Sequence, residues 1–231
     1  MEFAPEGPMA IPLWINGRPY LTVGDSFFDV INPATGQARH RVPMCGADEA
    51  AQAVAAARDA QGAWADMGPS ARQLCLGRLA DALERYAGHF AKMLSQESGR
   101  AEEMASAEVT AAVAGLRAMS VGETGVAALV VDDSQPLAGL VAAAVPALLA
   151  GATLVVKPSP KAPSAAFALC ELATRNDWPA GVLNLVHGDG PAIEGLCAAG
   201  VDYLVFAGAE ALGAQVGELA AQHGTAFATV G

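Results

Sequence analysis

Cationic side chains are scarce in this sequence. Lys and Arg number 13 against 24 Asp and Glu, a formal net charge of −11, and the only lysines are Lys92, Lys157 and Lys161. Binding to a phosphodiester backbone needs a basic face, so nucleic acid is excluded as a partner. Cysteine is sparse: Cys45, Cys75, Cys170 and Cys197 are far apart and form no CxxC pair or Cys/His cluster. That spacing excludes a disulfide framework and points to reduced core thiols in a cytoplasmic protein. His40, His89, His187 and His223 are scattered too, and no metal site is expected. No secretory leader is expected, since the opening MEFAPEGPMAIPLW has an acid at position 2, no basic n-region and prolines in place of an apolar core.

What the chain does have is apolar content. Its 231 residues are 53% hydrophobic and 16% charged, enough for a large core in one domain or two small ones. The stretch 137–156 is uncharged over the length of a bilayer span. It also contains Gly139, Pro146 and Gly151 and turns β-branched in its second half. A buried helix followed by a buried strand explains it without a membrane.

Asn16-Gly17 between apolar runs over 11–20 predicts a hairpin, and a second β-prone run covers 26–31, ending at Asn32-Pro33. With Asp48 as N-cap, the alanines and Val54 predict a helix to Trp64, and Gly68-Pro69-Ser70 breaks and restarts the chain. Leu79, Leu83, Tyr86, Phe90 and Leu94 recur at three and four residues and predict a second helix that Gly99 stops. A third, near 102–119, is expected to bury Met104, Val109, Val113 and Leu116. Beyond Gly125, strand candidates at 126–131, 153–156, 182–186, 203–206 and 226–230 alternate with helices near 136–150, 164–175, 191–198 and 210–222. This alternation predicts an α/β fold, a parallel sheet with helices on both faces.

Such sheets bind ligands beyond the C-terminal ends of their strands. Those positions read Asp132-Asp133-Ser134, Lys157-Pro158-Ser159, His187-Gly188-Asp189-Gly190 and Ala207-Gly208-Ala209. Two are glycine turns that open helices and offer free N–H groups to an anion, and Lys157 adds a donor for ribose or phosphate. A dinucleotide site is one reading and plain tight turns are the other. Ile193 stands where GxGxxG needs its third glycine, and the segment from Gly208 to Gly213 lacks the Lys-Ser/Thr of a P-loop. Asp132 and Asp133 read as solvated strand-end carboxylates, His187 as a turn or packing residue, and Trp14, Trp64 and Trp178 as packing anchors.

Several segments, taken in order, resemble the aldehyde dehydrogenase superfamily. They are Trp14-Ile15-Asn16-Gly17, Asn32-Pro33-Ala34-Thr35-Gly36, Glu97-Ser98-Gly99-Arg100, Pro146 to Gly151 running into Val156-Lys157-Pro158-Ser159, Pro179 to Asn184, and Val201-Asp202 leading to Phe206-Ala207-Gly208. The resemblance implies a Rossmann-like cofactor-binding core at 121–231 behind a short β-segment at 1–45 and three helices at 46–120, one incomplete domain without the catalytic domain. It implies NAD or NADP as cofactor, with Lys157, Pro158 and Ser159 at the ribose, Gly188 and Gly190 beside the adenine, and Phe206, Gly208, Ala209 and Leu212 in the segment that holds the pyrophosphate.

The departures from the family pattern point the other way. The family's nucleophilic cysteine lies beyond this stretch, and none of the four cysteines here takes its place. The family's oxyanion-stabilising asparagine aligns with Ser134, beside Asp132 and Asp133, and its general-base glutamate aligns with Thr229. Pro160 and Ala209 replace groups that grip the cofactor, so binding is expected to be weak or absent. The connection from Ser120 to Gly125 is too short for the family's oligomerisation flap. The expectation is therefore a non-catalytic pseudoenzyme with a binding or scaffolding role, its partner a full-length aldehyde dehydrogenase or a pathway enzyme. An NAD(P)-dependent subunit whose cysteine comes from a partner chain, and the remnant of a disrupted gene, are the alternatives.

Overall fold

The computed structural model describes residues 8–22 and 26–230. A hairpin, β1 (Leu13–Ile15) and β2 (Arg18–Tyr20), precedes a ribbon of β3 (Phe27–Asn32) and β4 (Gln37–Pro43). Four helices follow: α1 (Ala47–Asp66), α2 (Pro69–Arg85), α3 (Ala87–Ser98) and α4 (Glu102–Arg117). The core then alternates through β5 (Val126–Val131), α5 (Ala138–Ala150), β6 (Thr153–Pro158), α6 (Ser164–Arg175), β7 (Leu183–Leu185), α7 (Gly190–Ala198), β8 (Tyr203–Ala207), α8 (Glu210–Gln222) and β9 (Ala226–Val230).

The main sheet has the order β2-β1-β7-β6-β5-β8-β9, with β5 to β9 parallel and β1 antiparallel to β7. Central strands β5, β6 and β8 are buried at every residue, as unbroken apolar runs covered on both faces must be. One face packs on α5 and α6 with α2 to α4 behind them, the other on α1, α7 and α8. The uncharged stretch 137–156 divides as expected into α5 and β6, with Gly151 left-handed at φ 95° between them. Among the described residues no helix is long and apolar enough to cross a membrane.

The expected hairpin forms with Asn16 and Gly17 both at positive φ, the pairing that a type I′ turn requires, and it joins the edge of the main sheet. Four expectations need correction. β4 was not anticipated, because its Gln, Arg and His residues hide any apolar alternation in a ribbon that is largely open to solvent. The second predicted helix is two, since the chain leaves helical geometry at Tyr86, φ −102° and ψ 14°, with its ring exposed; four helices rather than three therefore precede the core. Asp48 lies inside the first turn of α1, and Gly46 is the N-cap. Met104 is exposed, while Val109, Val113 and Leu116 are buried.

Trp64, Trp178 and Trp14 are buried anchors. Trp64 stacks on Trp178 at 5.3 Å and donates to the Leu148 carbonyl at 3.1 Å, while Trp14 meets Phe167 edge-on at 5.6 Å. Arg72 is buried beside them. It donates from Nε to Leu149 O at 3.0 Å, and from one terminal nitrogen to Ala65 O at 2.6 Å and Trp64 O at 3.3 Å. One guanidinium thus satisfies carbonyls at the C-terminal ends of α1 and α5, where a positive charge also meets the favourable end of each helix dipole. Arg72→Ala is expected to lower unfolding free energy in urea by about 2–4 kcal/mol, because the stranded carbonyls stay buried.

Candidate functional site

Four helices begin at the C-terminal ends of the parallel strands, and the residues between strand and helix line a cavity of about 270 Å³ under β5, β6, α7 and α8. Its walls include Lys157, Ser159, Pro160, Gly190, Ile193, Phe206, Leu212 and Val216, with Asp132 and Asp189 at the helix starts. Of the nine residues read from the sequence as a cofactor site, Lys157, Ser159, Gly190, Phe206 and Leu212 therefore share one cavity. Gly208 lines a neighbouring pocket with Ser134 and Gln135, and Ala209 is the N-cap of α8. Pro158 pairs with Val131 inside the sheet, and Gly188 faces Cys45 and Ala192; neither lines the cavity.

Lys157 ends a fully buried strand and is itself buried, yet it has one protein acceptor, Gly188 O at 2.7 Å. An ammonium carries three donors, so the remaining ones face the cavity without a described partner. Burial pulls its pKa down to about 8, with the Asp189 carboxylate pulling it back up. Just behind lies His187, fully buried, with Nε2 3.1 Å from the Pro12 carbonyl. That contact joins the N-terminal segment to the core, which fits the packing role expected of His187.

Asp132 is the residue that sequence reading misplaced. It is not a solvated strand-end acid: it is 7% exposed, while its neighbour Asp133 is exposed as expected. Its Oδ1 accepts from both the backbone N–H and the hydroxyl of Ser134, at 2.8 and 2.5 Å, and its Oδ2 accepts from the Ala209 N–H at 2.7 Å. The carboxylate lies where a side chain on Gly208 would stand: a Cβ there would fall 2.2 Å from the Asp132 Cγ. Gly208 is at φ 150°, so both its backbone and its missing side chain admit the acid. The available signal was pattern: an acid ending an otherwise apolar strand, opposite a glycine that opens the next strand's helix.

The other chemistry-bearing residues stay apart. Thr229 is exposed on β9, paired with Phe206. All four cysteines are buried and unpaired, and burial raises every one of their pKa values.

Burial also carries the His187 pKa down to about 4, opposed by the Pro12 carbonyl and assisted by the Lys157 charge. The unfolded chain, with an ordinary imidazole near 6.5, then binds more protons than the folded one between pH 4 and 6.5. The stability held by the neutral ring is full above 6.5 and is lost as the pH falls toward 4. The stability difference between wild type and His187→Asn, from urea unfolding, is expected to shrink steadily over that window.

Comparison with known proteins gives this geometry a lineage. The profile of the Aldehyde dehydrogenase family matches residues 21–125 and 118–229, two stretches that meet at the connection between α4 and β5. Malonate-semialdehyde dehydrogenase of Pseudomonas aeruginosa is 32% identical over 206 residues, 79% of this chain and 41% of that protein. The structure of lactaldehyde dehydrogenase from Escherichia coli superposes with a TM-score of 0.90 at 25% identity, covering 96% of this chain and 52% of that one. A mutant of aldehyde dehydrogenase C from Pseudomonas syringae, complexed with NAD+ and octanal, gives 0.87 at 29% identity, covering 94% and 49%. The chain spans about half the length of the relatives it matches. With nearly every described element accounted for, from the first hairpin to β9, this chain belongs to the aldehyde dehydrogenase family.

Proposed function

We propose that this chain is a non-catalytic member of the family, with a binding or scaffolding role beside a complete aldehyde dehydrogenase or another enzyme of the same pathway. The observation that carries this reading is the state of Ser134. It aligns with the family's oxyanion-stabilising asparagine, and both of its donors are spent on the Asp132 carboxylate. An oxyanion forming there would meet a negative charge in place of a free donor. Losing one such donor costs about 2.7–4 kcal/mol of transition-state stabilisation, before any repulsion is added.

Thr229 supports the same reading, since a hydroxyl does not accept a proton usefully near neutral pH where the family has a carboxylate. Among the described residues every thiol is buried with a raised pKa, the opposite of an activated nucleophile. A binding role is supported by an apolar groove of about 320 Å³ beside β9, lined by Val121, Pro146, Tyr203, Phe227 and Val230, because apolar grooves of this kind receive partner surfaces.

The test is formation of reduced cofactor by the purified chain with NAD+ or NADP+ and a panel of aliphatic aldehydes. The expected rate equals that of buffer, and co-expression with a cysteine-bearing catalytic half from a relative leaves it unchanged. An aldehyde-dependent rate that scales with protein and disappears in Ser134→Ala would contradict the proposal.

A further inference from the structure

Of the three lysines, only Lys157 is held out of water. It is 5% exposed near the end of a strand buried at every residue, whereas Lys92 and Lys161 are exposed. Among the described residues its Nζ has one acceptor, Gly188 O at 2.7 Å, and no ion-pair partner. An ammonium so placed leaves two N–H groups unmade and a charge unpaired, both costly away from water. The neutral amine suits the position better, with one N–H on Gly188 and a lone pair turned to the cavity. Burial drives the group that way, pulling its pKa down to about 8, so that about a tenth of it is neutral at pH 7. The titratable groups around it are few: Asp132 after β5, Asp189 before α7, and His187 after β7, whose pKa of about 4 leaves it uncharged. Asp132 is spent on Ser134 and the Ala209 N–H, Asp189 is exposed and screened by water, and α8 brings no titratable side chain to the cavity.

The space in front of the amine selects what it can meet. Ile193, Phe206, Val216 and Leu219 make its walls apolar, the volume is about 270 Å³, and Leu212 and Gln215 are exposed at its mouth. A hydrocarbon tail of several carbons fits there, while an anionic one would lie in the field of the Asp132 carboxylate. A desolvated lysine amine reacts as a nucleophile with carbonyl carbon. Carbon dioxide would turn it into an anionic carbamate beside Asp132. An aldehyde gives an imine that is neutral or, once protonated, keeps the positive charge the lysine already had.

The geometry points to Lys157 as a covalent capture site for uncharged aldehydes with a short hydrocarbon tail. The Nζ lone pair attacks the carbonyl carbon and forms the C–N bond, the carbonyl π pair moves to oxygen, and that oxygen takes up a proton as the nitrogen gives one to solvent. The carbinolamine then loses its hydroxyl as water while the nitrogen gives up its second proton, leaving a C=N bond. Amine and aldehyde thus become imine and water. Nothing is oxidised or reduced, so the step needs no cofactor and stands independently of the non-catalytic reading.

The test incubates the purified chain at pH 7 with hexanal and cyanoborohydride, which reduces an imine to a stable secondary amine, and maps the modified peptides by mass spectrometry. Lys157 is expected to be alkylated at least about tenfold faster than the exposed Lys92 and Lys161, because a desolvated amine is neutral more of the time. Its rate rises with pH through about 8 and then levels off. Glyoxylate, an aldehyde carrying a carboxylate, shows no preference for Lys157, and in guanidinium chloride the preference with hexanal disappears. Every comparison is made within the wild-type chain, so no variant has to fold. Alkylation of Lys157 no faster than that of Lys92 and Lys161 would overturn the inference, as would a preference that persists in the unfolded chain or extends to glyoxylate. Neither result touches the non-catalytic reading, which falls only if the chain oxidises an aldehyde.

Discussion

A helix that begins inside a protein leaves N–H groups without partners, and something must accept from them. In this chain that requirement is met beneath the sheet by acids borrowed from elsewhere in the sequence. Glu108 of α4 accepts from Leu137 and Ala138 at the start of α5, at 2.9 and 3.2 Å, and is itself paired with Arg100 at 3.0 Å. Glu97 of α3 accepts from the Ser164 N–H at 3.2 Å and from its hydroxyl at the start of α6. Asp132 does the same for α8. None of these helices has a cap from its own N-cap side chain. A charge-assisted hydrogen bond of this kind is worth about 1.5–3 kcal/mol, to which the helix dipole adds a fraction more.

This way of closing helix starts has a functional consequence. The N–H groups that bind an anion are the ones an internal carboxylate consumes, so stability of the core and affinity for a phosphate compete for the same donors. Glu97 shows the tension in another form: burial lifts its carboxyl to about 7, and the bonds from Ser164 hold it lower than burial alone would. At α8 the Ala209 N–H goes to Asp132, and the same acid takes up the donors of Ser134. One residue therefore ties the start of α8 to Ser134.

The core was legible because its sequence is redundant. Each of β5, β6 and β8 is an unbroken apolar run, and the glycines and prolines between elements mark their ends, so most helices and strands fall within a few residues of expectation. The pieces that escaped lack such redundancy. β4 is a polar ribbon strand with no apolar rhythm, and the break at Tyr86 sits within a helical pattern that continues in phase on both sides. The membership of the hairpin in the main sheet depends on a single pairing, Trp14 with Leu185, which no local pattern announces.

Part of the set of residues read as a site comes together around one cavity. Lys157 was read from the strand ends and Phe206 and Leu212 from the family resemblance, and all three line it. What Asp132 does there was hidden, because an acid at a strand end is ordinarily solvated, and only the fold brings it across to the bare Gly208 and the N–H beyond. Pro158 and Gly188 adjoin those residues in sequence but turn into the sheet and toward Cys45. Whether Asp132 keeps the Ala209 N–H from an anion is read by following the Ala209 and Ser134 amide resonances in a two-dimensional nitrogen–proton spectrum during titration with inorganic pyrophosphate. The account predicts that both stay in place, with through-bond coupling from each amide to the Asp132 carboxyl carbon; saturable movement of the Ala209 amide with loss of that coupling would contradict it.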